Sequence, residues 1–129
     1  MKNLFLVALV SFGLVACGGG GSDSSSSDND SNTTETVTVT VSSTGSNTVI
    51  DESVTFDLEV TGTSNTITIK ASNQIEDLNV SGVSNVITIE KGASITGIEI
   101  TGVSNTFYID NDSNYSISDT GSGNKIIKQ

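Results

Sequence analysis

Asp110, Asp112 and Asn114 stand at alternate positions in Asp110-Asn111-Asp112-Ser113-Asn114. That spacing offers oxygen ligands to a hard cation such as calcium. A twelve-residue calcium loop also needs glycine at its sixth place and a bidentate glutamate at its twelfth. Tyr115 and Gly121 hold those places, and the same pentapeptide recurs from Asp28 to Asn32. The pattern therefore reads as compositional. The three residues are weak calcium candidates, and no resident cofactor is expected. The chain has one thiol, Cys17, so it forms no intrachain disulfide. It has neither His nor Arg, which excludes a Ser/His/Asp triad and histidine metal sites. Paired carboxylates can hydrolyse glycosides, but aromatic platforms for a sugar are missing: Phe56, Phe107, Tyr108 and Tyr115 are the only aromatics after residue 16. A non-enzymatic protein is expected.

The formal net charge is −10, from 15 acidic residues and 5 lysines. Such a surface repels phosphate backbones, which excludes nucleic acid as a partner.

The N-terminus has the layout of an export signal. Lys2 is followed by an almost wholly apolar run from Leu4 to Val15. About a dozen residues suit a signal core, whereas a membrane span needs roughly 20. Leu14-Val15-Ala16-Cys17 resembles the lipobox of bacterial lipoproteins. The resemblance implies cleavage after residue 16 and a diacylglycerol, often with a further palmitate, on Cys17. Two or more chains anchor stably where one does not. The membrane is then a partner through lipid. Gly18, in place of the aspartate that commonly retains such proteins in the inner membrane, points to the outer membrane of the cell envelope.

Residues 17–35 carry no large apolar side chain in GGGGSDSSSSDNDSNTTE after the cysteine. Such a stretch cannot offset the entropy of ordering. It reads as a linker with a root-mean-square span of roughly 20–25 Å. One domain remains, residues 36–129.

That domain repeats. Thr61-Gly62-Thr63-Ser64-Asn65, Ser81-Gly82-Val83-Ser84-Asn85 and Thr101-Gly102-Val103-Ser104-Asn105 are spaced by 20. Weaker copies occur at Thr44-Gly45-Ser46-Asn47 and Thr120-Gly121-Ser122-Gly123-Asn124. Two and four residues past the Asn lie Ile67 and Ile69, Ile87 and Ile89, Phe107 and Ile109. Leu78 and Val80, then Ile98 and Ile100, follow in register. Alternating β-branched runs are strands. One unit cannot bury its own apolar face, but stacked units can. The expectation is an all-β protein: a short parallel β-solenoid of about 4–5 coils, each strand about 4.8 Å from its copy. The alternative is an antiparallel sandwich or prism.

Gly62, Gly82 and Gly102 read as turn residues that permit positive φ. Asn47, Asn65, Asn85, Asn105 and Asn124 read as a stacked amide ladder. Outward positions are expected to present an acidic stripe on one face (Asp57, Glu59, Asp77, Glu99, with Asn79 and Gly97). The other face reads Thr48 and Ile50, Thr66 and Thr68, Val86 and Thr88, Thr106 and Tyr108. A flat threonine array would suggest ice binding, but Thr-x-Thr is complete in one coil alone.

The unit Gly-x-x-Asn-x-Ile-x-Ile resembles a bacterial family of short exported proteins of unknown function that repeat Gly-x-x-Asn-x-Val-x-Val. The resemblance implies the solenoid and no established activity. Gly-x-x-Asn is also shared with curlin repeats, although the flanking glutamines of that pattern are Thr, Ile and Lys here. The function expected is a structural or interaction module in the envelope. The alternative is a self-assembling, curli-like matrix subunit, with protein or self-association partners.

Overall fold

A computed structural model describes residues 36–129. The export signal, the lipobox with Cys17 and the linker all fall on residues 1–35 and lie outside the described residues.

Ten short strands follow one another: β1 (Val37–Val41), β2 (Asn47–Ile50), β3 (Thr55–Val60), β4 (Thr66–Ile69), β5 (Gln74–Val80), β6 (Val86–Ile89), β7 (Ser94–Ile100), β8 (Thr106–Ile109), β9 (Ser116–Asp119) and β10 (Lys125–Lys128). Odd strands form one five-stranded sheet in the order β1-β3-β5-β7-β9. Even strands form the other, β10-β8-β6-β4-β2. Every pairing is parallel. The chain is a β-solenoid of five rungs, and the antiparallel alternative is excluded.

Like residues sit above like. On the odd sheet Val41, Val60, Val80 and Ile100 form one inward column, and Val39, Leu58, Leu78, Ile98 and Ile117 another. On the even sheet Ile67, Ile87, Phe107 and Ile126 align, as do Ile50, Ile69, Ile89 and Ile109. The eighteen buried apolar residues all lie between Val41 and Ile109. Period-two alternation is what places them on one side of each strand.

The rungs are not of equal length. Phe56 aligns with Ile75 and Leu58 with Leu78, so one extra residue enters β5 at a bulge. The same extra residue persists in β7 and is gone in β9, where Ile98 meets Ile117. A bulge absorbs an added residue without moving the inward residues off the core.

The first rung departs from the expected register by one residue. Asn47 pairs with Thr66, Thr48 with Ile67 and Ile50 with Ile69. Thr48 and Ile50 therefore belong to the inward columns, not to an outward threonine face, and Ile50 is buried. Val49 points out instead and is 61% exposed. A slip of one exchanges the two faces of a strand.

Candidate functional site

The column of asparagines runs up one corner of the rod. Asn65 donates from Nδ2 to Asn85 Oδ1 at 3.1 Å, Asn85 to Asn105 Oδ1 at 3.1 Å, and Asn105 to Asn124 Oδ1 at 3.2 Å. Each Oδ1 also accepts the backbone N–H of the Asn before it, at 2.9 Å. The second hydrogen of each Nδ2 goes back to a carbonyl of the preceding rung: Ser43, Gly62, Gly82 and Gly102. Asn65, Asn85 and Asn105 are buried, and no buried side-chain nitrogen or oxygen among the described residues lacks a partner. An amide supplies two donors and an acceptor at one position, which is why no shorter polar residue repeats there.

Asn47 is not part of this column. It lies in β2, exposed, beside Thr66. Ser46 stands at the top of the ladder: its N–H and its hydroxyl both donate to Asn65 Oδ1, at 3.0 and 2.9 Å.

The glycines act differently from the expectation. At the asparagine corner positive φ belongs to Ser64, Ser84 and Ser104, at 57°, 57° and 58°, and to Gly45 and Gly123 at the same step of the first and last turns; at the opposite corner Gly92 also adopts it. Gly62, Gly82, Gly102 and Gly121 are needed for closeness. A Cβ on Gly82 would lie 2.2 Å from Gly62 O, and one on Gly102 would lie 2.1 Å from Gly82 O. Among the described residues no rung precedes the first, and Ser43 holds the matching position there.

A second buried amide, Asn73, was not singled out by sequence. Its Nδ2 donates to Ile50 O and Lys70 O, and its Oδ1 accepts from Glu52 N. It fastens the opposite corner once. Ala93 replaces it in the next rung, so repetition carried no signal for it.

That corner also holds the ion pairs. Lys70 meets Glu90 at 2.7 Å, and Lys91 reaches Asp110 at 3.5 Å and Asp112 at 3.0 Å. Asp110 and Asp112 thus face an ammonium, and Asp112 N–H closes on Asp110 Oδ1. Asn114 is exposed beside them. No cluster of three His, Cys, Asp or Glu side chains with metal-ligand geometry occurs among the described residues. The hydrogen bond to Glu90 raises the Lys70 ammonium above its ordinary value, and the same bond holds the Glu90 carboxyl below the ordinary carboxylate value. A carboxyl lowered on folding stabilises above its unfolded value, and that contribution disappears as pH falls through the folded value. The melting temperature is therefore expected to fall in acid slightly more in the parent than in Glu90→Gln, the difference being small because solvent screens an exposed pair. Thermal melts across the carboxylate range check it.

The outward faces differ in charge. The odd sheet presents Asp57, Glu59, Glu76, Asp77 and Glu99, all without an ion-pair partner among the described residues. Register breaks the acidic stripe: Glu59, Asn79, Glu99 and Ser118 follow one another, and Gly97 sits between Asp77 and Ser116. Asp77 N–H donates to Asp57 Oδ1. The even sheet presents Asn47 and Val49, Thr66 and Thr68, Val86 and Thr88, Thr106 and Tyr108, with charge only at Lys125 in the last rung. Neither face brings together a nucleophile and a base.

No curated protein and no solved structure matches the chain. Residues 60–123, spanning the central rungs and three of the ladder asparagines, Asn65, Asn85 and Asn105, match the family model described as a protein of unknown function, DUF3060.

Proposed function

We propose that the protein is an envelope lipoprotein, held by lipid on Cys17, whose solenoid is a rigid, non-enzymatic interaction module. The observation that carries this reading is where the repeat spends its chemistry. The residues that define the unit, Gly and Asn, are consumed inside the rod in rung-to-rung contacts. The side chains left to meet anything else lie on two outward faces, one acidic and one of Thr and Val. The hollow on the acidic face, about 440 Å³ and lined by Asp77, Asn79, Gly97, Glu99, Ser116 and Ser118, is open to solvent, unlike the enclosed and mostly apolar sites that small-molecule chemistry prefers. Leu14-Val15-Ala16-Cys17 supports the anchor, and the polar stretch to residue 35 supports a stand-off from the bilayer.

Palmitate labelling tests the anchor. The full chain made in a Gram-negative host is expected to take up label and to sediment with membranes. Cys17→Ala is expected to lose both. Label retained by that variant, or an unlabelled parent chain, ends the reading.

A further inference from the structure

Within the described sheets β1, β2, β9 and β10 each have one neighbour, which leaves the backbone of the first and last rungs open to another parallel rung. Exposed strand edges invite self-association unless something opposes it. The last rung differs from the four before it. Asp119 holds the register position beneath Ile100, at the foot of the column Val41, Val60, Val80, Ile100. Lys128 holds the position beneath Ile109, at the foot of the column Ile50, Ile69, Ile89, Ile109. Two of the inward columns therefore end in a charge. The two charges cannot neutralise each other within the rung. Asp119 is where β9 enters the turn, Lys128 is where β10 leaves the rung, and neither takes part in an ion pair among the described residues.

Asp119 also closes the amide ladder. Within the rod each Asn Nδ2 donates to the Oδ1 one rung on. Asn124 stands in the last described rung, and its Nδ2 donates to Asp119 Oδ1 at 2.9 Å. The same oxygen accepts Gly121 N–H at 3.0 Å. At the other end Ser43 and Ser46 hydroxyls fill Asn65 Oδ1. The first rung carries no inward charge: Val37, Val39, Val41, Thr48 and Ile50 occupy its columns.

We propose that rung five is a built stop on a latent self-association surface, whose occupant would be the first rung of a second copy. Seating that copy would put Val41 on Asp119 and Ile50 on Lys128. Both charges would leave water unpaired, which costs more than stacking one further apolar rung returns. Inward-pointing charge on an edge strand is a recognised protection against such growth. Remove both charges and the columns run on without interruption.

The domain 36–129 contains the whole described core and its hydrogen-bond network, so it is the unit that folds, and it lacks Cys17, so the outcome is independent of the lipid anchor. The parent domain is expected to stay free of thioflavin-positive fibres in prolonged incubation. Asp119→Ile with Lys128→Ile is expected to grow end to end, moving from a slow sedimentation boundary to fast, heterogeneous species with thioflavin response. Lys128→Glu, which keeps a charge at the foot of its column and leaves the contacts of Asp119 in place, is expected to behave as the parent. Lys128 makes no side-chain hydrogen bond among the described residues, so Lys128→Ile alone keeps the fold of this domain intact and decides the matter should the double variant fail to fold; partial growth is expected of it. Fibres from the parent overturn the proposal. So does a folded double variant that stays as small as the parent, or one that forms only thioflavin-negative aggregate, and so does a Lys128→Ile domain without growth when the double variant is unfolded.

Discussion

Asn85→Asp is expected to unfold the domain at neutral pH and to regain much of its stability in acid. Asn85 is wholly buried and sits mid-ladder. Its Oδ1 accepts two N–H groups from Asn65, at 2.9 and 3.1 Å, and a carboxylate oxygen can do the same. Its Nδ2 donates to Gly62 O at 2.9 Å and to Asn105 Oδ1 at 3.1 Å. There a carboxylate sets a charged acceptor against two acceptors. Burial and that repulsion both raise the carboxyl's folded pKa, so stability relative to the parent rises as pH falls. The protonated acid donates once and restores one of the two lost bonds. Asn85→Ala has no such rescue. It orphans the buried Asn65 N–H, worth about 1–3 kcal/mol, and loses three further bonds of about 1 kcal/mol each. A total of about 4–6 kcal/mol is a large part of the roughly 5–15 kcal/mol that holds a domain of ordinary stability. Urea unfolding of parent, Ala and Asp variants at neutral pH and below the carboxylate range checks both. Equal, pH-independent losses in the two variants would show that the amide matters for its volume and not for its donors.

How far this arrangement is legible in sequence depends on where a residue sits in the stack. The interior rungs declare themselves. Ile67, Ile87 and Phe107 recur at a fixed distance past an Asn, and in the fold they stand in one column. The first rung misleads because its chemistry is released from the constraint. Ser43 stands where later rungs need Gly, since no carbonyl of a described rung presses on it, and Ser46 stands where later rungs need Asn. Gly45 and Asn47 then imitate the motif one residue out of step. Matching letters shifts the rung, assigns Thr48 and Ile50 to the wrong face and adds Asn47 to a ladder it does not join. The pattern of burial corrects this, because an Ile that repeats with Ile69, Ile89 and Ile109 belongs to the core. Asn73 leaves no periodic trace at all, and only coordinates reveal that its amide closes three backbone groups.

The largest purely steric effect is expected from Gly82→Ala, and it separates the two reasons a turn can demand glycine. Gly82 does not need unusual φ; it needs absence of a side chain. The added methyl would lie 2.2 Å from Gly62 O and 2.6 Å from Asn85 Nδ2, atoms held from both sides. Gly62 O accepts Val83 N–H at 3.1 Å and Asn85 Nδ2 at 2.9 Å, so moving it aside breaks the bonds that bind one rung to the next. Overpacking of about 1–3 kcal/mol adds to hydrogen bonds of about 1 kcal/mol each, and a loss near 4 kcal/mol is expected. Gly45 offers the contrast. Its φ is +65° and nothing lies within 4 Å of a Cβ placed on it. Its structural counterparts are Ser64, Ser84 and Ser104, which hold nearly the same φ. Left-handed backbone costs a non-glycine residue roughly 1–2 kcal/mol, and a reduced entropy of the unfolded chain returns part of that. Gly45→Ser is therefore expected to shift stability by about 1 kcal/mol or less. Parallel denaturation curves of the two variants decide between contact and conformation. Comparable losses would mean that both glycines serve the dihedral angle, and that successive rungs can part far enough to admit a methyl group.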